Sequence, residues 1–99
     1  MSTARKVLIV EDHKPLRSLL SFLLGNAGFD TVETADGMTA LDEAHRQQPD
    51  LVLLDWQLPD MDGVQVLRHW RSDELTAHIP VIMMSGQARE SDRVTGLRA

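Results

Sequence analysis

Val7-Leu8-Ile9-Val10 is an unbroken apolar run that stops on two adjacent acids, Glu11 and Asp12. The arrangement returns at Leu51–Leu54, which stops on Asp55. A run without polar alternation has both faces covered. That is how a strand reads in a parallel sheet with helices on either side. Ile79 to Met84, interrupted only by Pro80, gives another strand and closes on Ser85-Gly86. Phe29 to Ala35 gives a weaker one, through Phe29, Thr31, Val32 and Thr34.

Between these runs the spacing turns helical. Leu16, Leu19, Leu20, Leu23 and Leu24 form a full apolar stripe over Pro15–Gly25. Asp12 or His13 stands where a cap belongs, Pro15 suits the first turn, and Gly25 and Gly28 supply the stop. Residues 37–48 carry Ala40, Leu41 and Ala44 on one face, with Asp36 as the cap and Pro49 as the end. Asp62-Gly63 can mark a hairpin. Here Gly63, Val66, Leu67 and Trp70 follow at helical spacing instead. Residues 87–98 read as a weaker helix. The order βαβαβαβα predicts a single α/β domain over residues 1–99, a parallel sheet in a three-layer α/β/α sandwich with right-handed crossovers.

Composition narrows the chemistry. The chain has no cysteine, which excludes thiolate metal sites and cysteine nucleophiles. The longest apolar runs fall far short of the about 20 residues of a membrane span, and nothing behind Met1–Lys6 reads as a signal peptide. A net charge of −5 without a basic block argues against direct nucleic-acid binding. The expected setting is cytoplasmic. His13, His45, His69 and His78 are scattered and read as surface residues; Trp70, Met61, Met83 and Met84 read as packing.

In an open α/β sheet, ligands bind beyond the carboxyl ends of the strands at a topological switch point. Glu11, Asp12 and Asp55 all stand at such ends. Clustered carboxylates repel one another unless some protonate or a divalent cation joins them. The residues alone leave two readings open: helix caps, or a shared site for a hard, oxygen-loving ion such as magnesium.

Residues 7–13 (Val-Leu-Ile-Val-Glu-Asp-His), 49–63 (Pro-Asp-Leu-Val-Leu-Leu-Asp-Trp-Gln-Leu-Pro-Asp-Met-Asp-Gly) and 79–86 (Ile-Pro-Val-Ile-Met-Met-Ser-Gly) resemble the receiver domain of bacterial two-component response regulators. The resemblance covers essentially the whole chain, in order. It implies a flavodoxin-like doubly wound sheet with strand order 2-1-3-4. It implies Asp55 as the acceptor of a phosphoryl group from a sensor histidine kinase. Glu11, Asp12, Asp55 and the backbone carbonyl of Gln57 become the ligands of Mg2+ (or Mn2+), with Glu11 acting mostly through water. Ser85 becomes the hydroxyl that contacts the phosphoryl oxygens. Gln57 and Gln87 match positions that modulate phosphoryl lifetime, and a downstream effector becomes the recipient of the signal. The chemistry needs the cation: a dianionic phosphoryl group about 4 Å from a lone carboxylate is repelled by roughly 8 kcal/mol at an effective dielectric of about 20.

The family pattern continues into a fifth strand bearing a lysine, and a fifth helix. Neither has a counterpart here, so the sequence reads as a receiver shortened after its fourth helix. Weaker phosphotransfer and self-association through an exposed fourth-strand edge are then expected. Two rival functions follow from the residues. A receiver that works by contact alone would bind partners without phosphorylation. A Mg2+-dependent aspartyl phosphatase would carry its nucleophile after the first strand, commonly with a second Asp two positions on, where this chain has Lys14. A flavin or nucleotide site is disfavoured, because no Gly-rich phosphate loop follows a strand.

Overall fold

The computed structural model describes residues 4–84. The strands are β1 (Lys6–Val10), β2 (Asp30–Thr34), β3 (Leu51–Asp55) and β4 (Val81–Met84). The helices are α1 (Lys14–Asn26), α2 (Gly37–Gln47) and α3 (Gly63–Arg71). All strand pairs are parallel, in the order β2-β1-β3-β4. This is the expected flavodoxin-like order. The helix expected over residues 87–98 lies outside the described residues, as does Ser85.

Strand order and crossover handedness fix the layers. The step β1→β2 runs one way along the sheet, and the steps β2→β3 and β3→β4 run the other. Right-handed connections therefore put α1 on one face and α2 with α3 on the opposite face. Side-chain alternation agrees. Leu8, Val10, Val52, Leu54 and Met83 meet Ala40, Ala44, Val66, Leu67 and Trp70 in one core cluster. Val7 and Ile9 point to the α1 side and are also buried.

The α1 stripe is only half used. No residue of α1 is buried: Leu16, Leu20 and Leu24 are intermediate, while Leu19 and Leu23 are 51% and 53% exposed. Among the described elements α1 alone covers its face of the sheet, and it packs over β1 and β2. Burial on that face fades accordingly, from Ile9 through the intermediate Leu53 to Ile82, which is 45% exposed.

The element ends follow local chemistry. His13 is the N-cap of α1 but makes no side-chain cap bond. Asp36 caps α2 as expected, with Oδ1 accepting the Thr39 N–H at 2.8 Å. At the other end of α2, Gln48 takes a left-handed φ of 47° and donates its N–H to the Ala44 carbonyl. Pro49 disfavours the helical region for the residue before it, so the turn falls there. No helix among the described residues is long and apolar enough to cross a membrane.

Candidate functional site

β1 and β3 are neighbours, with Val10 opposite Leu54. Their carboxyl ends therefore deliver Glu11, Asp12 and Asp55 to one place. One carboxylate oxygen from each lies within 4.8 Å of the others. Glu11 and Asp55 are buried, at 3% and 5% exposure, and Asp12 is exposed. Two of the three clustered acids are thus buried and the third is open to solvent.

Several contacts fix this end of the sheet. The Glu11 N–H donates to the Thr34 carbonyl at 3.0 Å, and the Thr34 hydroxyl donates to the Ile9 carbonyl at 3.1 Å. Arg17 Nη1 donates to the Glu11 carbonyl at 2.9 Å, while its Nε lies 3.3 Å from Glu33 Oε1. The His13 N–H donates to Glu11 Oε2 at 3.0 Å. The other carboxylate oxygen, Oε1, is buried without a hydrogen-bond partner. A buried ionised oxygen without a partner is costly.

Asp55 has one weak local donor, the Gln57 N–H at 3.5 Å from Oδ1. Burial pushes its carboxyl up to about 7. The charge of Glu11 is the next cause, the Gln57 N–H opposes the rise, and the charge of Asp12 adds to it. Burial and like charge both disfavour the ionised form.

The donor set fits a hard divalent cation. It is all oxygen, it holds excess negative charge, and it contains a buried oxygen that nothing else satisfies. Of the residues expected from the sequence, Glu11, Asp12 and Asp55 come together. Gln57 lies in the adjoining loop, paired with Asp62 in an isolated antiparallel bridge. Trp56, between them, is half-buried against the core, donates its N–H to the Met84 carbonyl at 2.7 Å and accepts the Gly63 N–H at 2.7 Å. All four histidines are exposed.

The sequence reading missed Arg17, which holds the Glu11 carbonyl, and Gly63, whose missing side chain leaves room for the Asp55 carbonyl. It also missed Asp60, whose carboxylate crosses to α2. The helix and loop patterns contain no signal for Arg17 or Asp60. Gly63 is visible in the sequence as half of an Asp-Gly pair and as the start of a helical stripe, but neither pattern signals its contact with the Asp55 carbonyl.

Fold and site together define a doubly wound α/β domain with a cluster of acids at its switch point. The chain belongs to the response regulator receiver domain family, whose profile matches residues 7–99. It is 42% identical over 94 residues to the phosphate regulon transcriptional regulatory protein PhoB of Escherichia coli strain K12, covering 95% of this chain and 41% of PhoB. The chain thus spans about two-fifths of that relative's length. Among solved structures it is similar to the receiver domain of sensor histidine kinase PA1611 from Pseudomonas aeruginosa PAO1, which has a magnesium ion in its active site cleft. The TM-score is 0.86 with 31% identity, over 98% of this chain and 80% of that one. It is also similar to the chemotaxis response regulator CheY4 of Vibrio cholerae, with a TM-score of 0.85, 28% identity, and coverage of 95% and 78%. The family is a signalling module of two-component systems.

Proposed function

We propose that this domain accepts a phosphoryl group on Asp55 from the phosphohistidine of a sensor histidine kinase. The reaction depends on a divalent cation, Mg2+ or Mn2+, and switches contacts with a downstream effector domain or protein. One observation carries the reading: three carboxylates converge within 4.8 Å, and one of them has a buried oxygen that no protein group satisfies. The magnesium in the cleft of the PA1611 receiver supports the same assignment here.

Glu11, Asp12, Asp55 and the Gln57 carbonyl would hold the cation. When bound, it offsets the repulsion between the acids and the incoming phosphoryl oxygens. Asp55 is the nucleophile. One carboxylate oxygen attacks phosphorus in line, the new P–O bond forms as the P–N bond to the kinase imidazole breaks, and the imidazole leaves with the bonding pair. The carboxylate must be ionised to attack, so a group held near neutrality must lose its proton as the site assembles. Burial of Asp55 and Glu11 limits water near the acyl phosphate. Ser85 follows directly after β4, and its hydroxyl is assigned to the phosphoryl oxygens. The product carries new charge and strong acceptors at one point of the sheet edge, which is how phosphorylation biases nearby loops.

The test is a titration of Mg2+ followed by Trp56 fluorescence and calorimetry, then incubation with a small acyl phosphate donor. Saturable binding and a mass gain of one phosphoryl group are expected, both lost in Asp55→Asn. A folded wild-type chain that binds Mg2+ but takes no label would leave contact-only signalling as the reading. Steady release of phosphate from an unrelated phosphate ester would favour the phosphatase.

A further inference from the structure

The loop between β3 and α3 is closed on itself. The Trp56 carbonyl accepts the Gly63 N–H at 2.7 Å, Gln57 bridges to Asp62, and the Leu58 N–H donates to the Met61 carbonyl at 3.3 Å. Gln65 folds back to accept the Asp62 N–H at 2.9 Å, which ties the loop into the first turn of α3.

The tip of this loop is held from outside. Asp60 Oδ1 accepts the Gly37 N–H at 2.7 Å, and Oδ2 accepts the Met38 N–H at 2.9 Å. These amides open α2, where a helix leaves its N–H groups unpaired and favours a negative charge. The same two donors, Gly37 first, hold the Asp60 carboxyl below the usual carboxylate range. Beside them Met61 packs over Gly37 so closely that a Cβ at position 37 would lie 2.4 Å from Met61 Cγ. The helix already has its own cap in Asp36. Asp60 is therefore a second carboxylate on one helix end, and it arrives from the loop that carries Gln57.

The geometry points to Asp60 as a positioning residue for the metal site: its paired hydrogen bonds to α2 latch the loop and fix the Gln57 carbonyl relative to Glu11, Asp12 and Asp55. This rests on the metal reading above. A loop without the latch keeps its internal bonds and the packing of Leu58 and Met61 against the core, but loses its hydrogen bonds to α2, so the carbonyl is less well placed for a ligand. Coupling of this kind is reciprocal, and cation binding must in turn tighten the contact with α2.

The pair Asp60 and Asp36 makes the inference testable. Both cap α2, but only Asp60 belongs to the metal loop. Calorimetric Mg2+ titrations of the full chain are compared for wild type, Asp60→Ala, Asp60→Asn and Asp36→Ala, with circular dichroism to establish folding. Asp60→Ala is expected to weaken Mg2+ binding about 10-fold, the lower end for groups that orient metal ligands. Asp60→Asn, which keeps one acceptor oxygen, loses less and serves if the alanine variant does not fold. Asp36→Ala lowers the melting temperature and leaves Mg2+ affinity at the wild-type value. Amide exchange at Gly37 and Met38 slows when Mg2+ is added to wild type. Wild-type affinity in both Asp60 variants overturns the latch, and so does an equal loss in Asp36→Ala. Failure of wild type to bind Mg2+ at all removes the metal reading and the latch with it; loss confined to the Asp60 variants cannot be mistaken for that result.

Discussion

A Cβ placed on Gly63 would lie 2.3 Å from the backbone carbonyl oxygen of Asp55. The obstacle is main chain, and the next nearest atoms are the Asp55 carbonyl carbon and the Met83 methyl, both at 3.2 Å. The start of α3 can approach the proposed phosphoacceptor this closely only because position 63 has no side chain.

Gly63→Ala is therefore expected to destabilise the domain by about 1–3 kcal/mol, the range for forcing extra atoms into a packed site. It should also weaken Mg2+ binding, because relief requires the Asp55 backbone or α3 to shift. Gly25→Ala is the control. Nothing lies within 4 Å of a Cβ there, and the position is in α1. Helix propensity predicts a gain of about 0.5–1 kcal/mol. Denaturant melts of the two variants should move in opposite directions.

Asp55 sets a pH dependence of defined sign. Its folded carboxyl is pushed up to about 7, by burial first. In the unfolded chain it titrates near about 3.9. Between those values the folded protein holds a proton that the unfolded chain has lost. Stability contributed by this group therefore falls as pH rises from about 4 to about 7, and the loss is complete above that. In the presence of a chelator, the melting temperature of wild type relative to Asp55→Asn should rise as pH is lowered from 8 to 5. Mg2+ affinity should move the other way, weakening below about pH 7 by up to about tenfold per unit as the proton competes with the cation. A wild-type melting temperature that tracks Asp55→Asn across the range would contradict the assignment.

The pattern of strands and acids was legible because each carries its own local signal. Val7–Val10 and Leu51–Leu54 are apolar throughout, and each stops abruptly on acids at its carboxyl end. Neighbouring β1 and β3 then bring Glu11, Asp12 and Asp55 together. The leucines of α1 were legible as a stripe but not as a half-exposed one, since periodicity reports amphipathicity and not the presence of a partner. Asp60 and Arg17 were illegible for a different reason. The contacts they make at the site are to backbone groups of Gly37, Met38 and Glu11, and an amide or carbonyl in the chain looks the same whatever side chain it carries. Such contacts emerge only once the topology has placed the segments side by side.

The core predicts an ordinary but sizeable penalty. Leu54 is fully buried, one residue before Asp55, and belongs to the cluster formed with α2 and α3. Leu54→Ala should cost about 2–5 kcal/mol. A chain of this size has little stability to spare, since domains typically hold about 5–15 kcal/mol in total. Chemical denaturation should show a lower midpoint with an unchanged slope.

Arg17 separates a surface ion pair from a structural hydrogen bond. Its Nε faces Glu33, whose side chain is 42% exposed, while its Nη1 donates to the Glu11 carbonyl at the end of β1. The pair with Glu33 is open to solvent, so Glu33→Ala should cost no more than about 1 kcal/mol and less at high salt. Arg17→Ala loses that pair as well as the charged donor to Glu11, and should cost about 1.5–3 kcal/mol, the range for a hydrogen bond from a charged group. Arg17→Lys recovers the charge but not the fork that reaches both partners, so it should behave more like the alanine variant than like wild type. Equal losses in Arg17→Ala and Glu33→Ala would mean that the Glu11 carbonyl does not depend on Arg17. A larger loss in Arg17→Ala that persists at high salt would tie the end of β1, and with it the Glu11 side chain, to this one residue of α1.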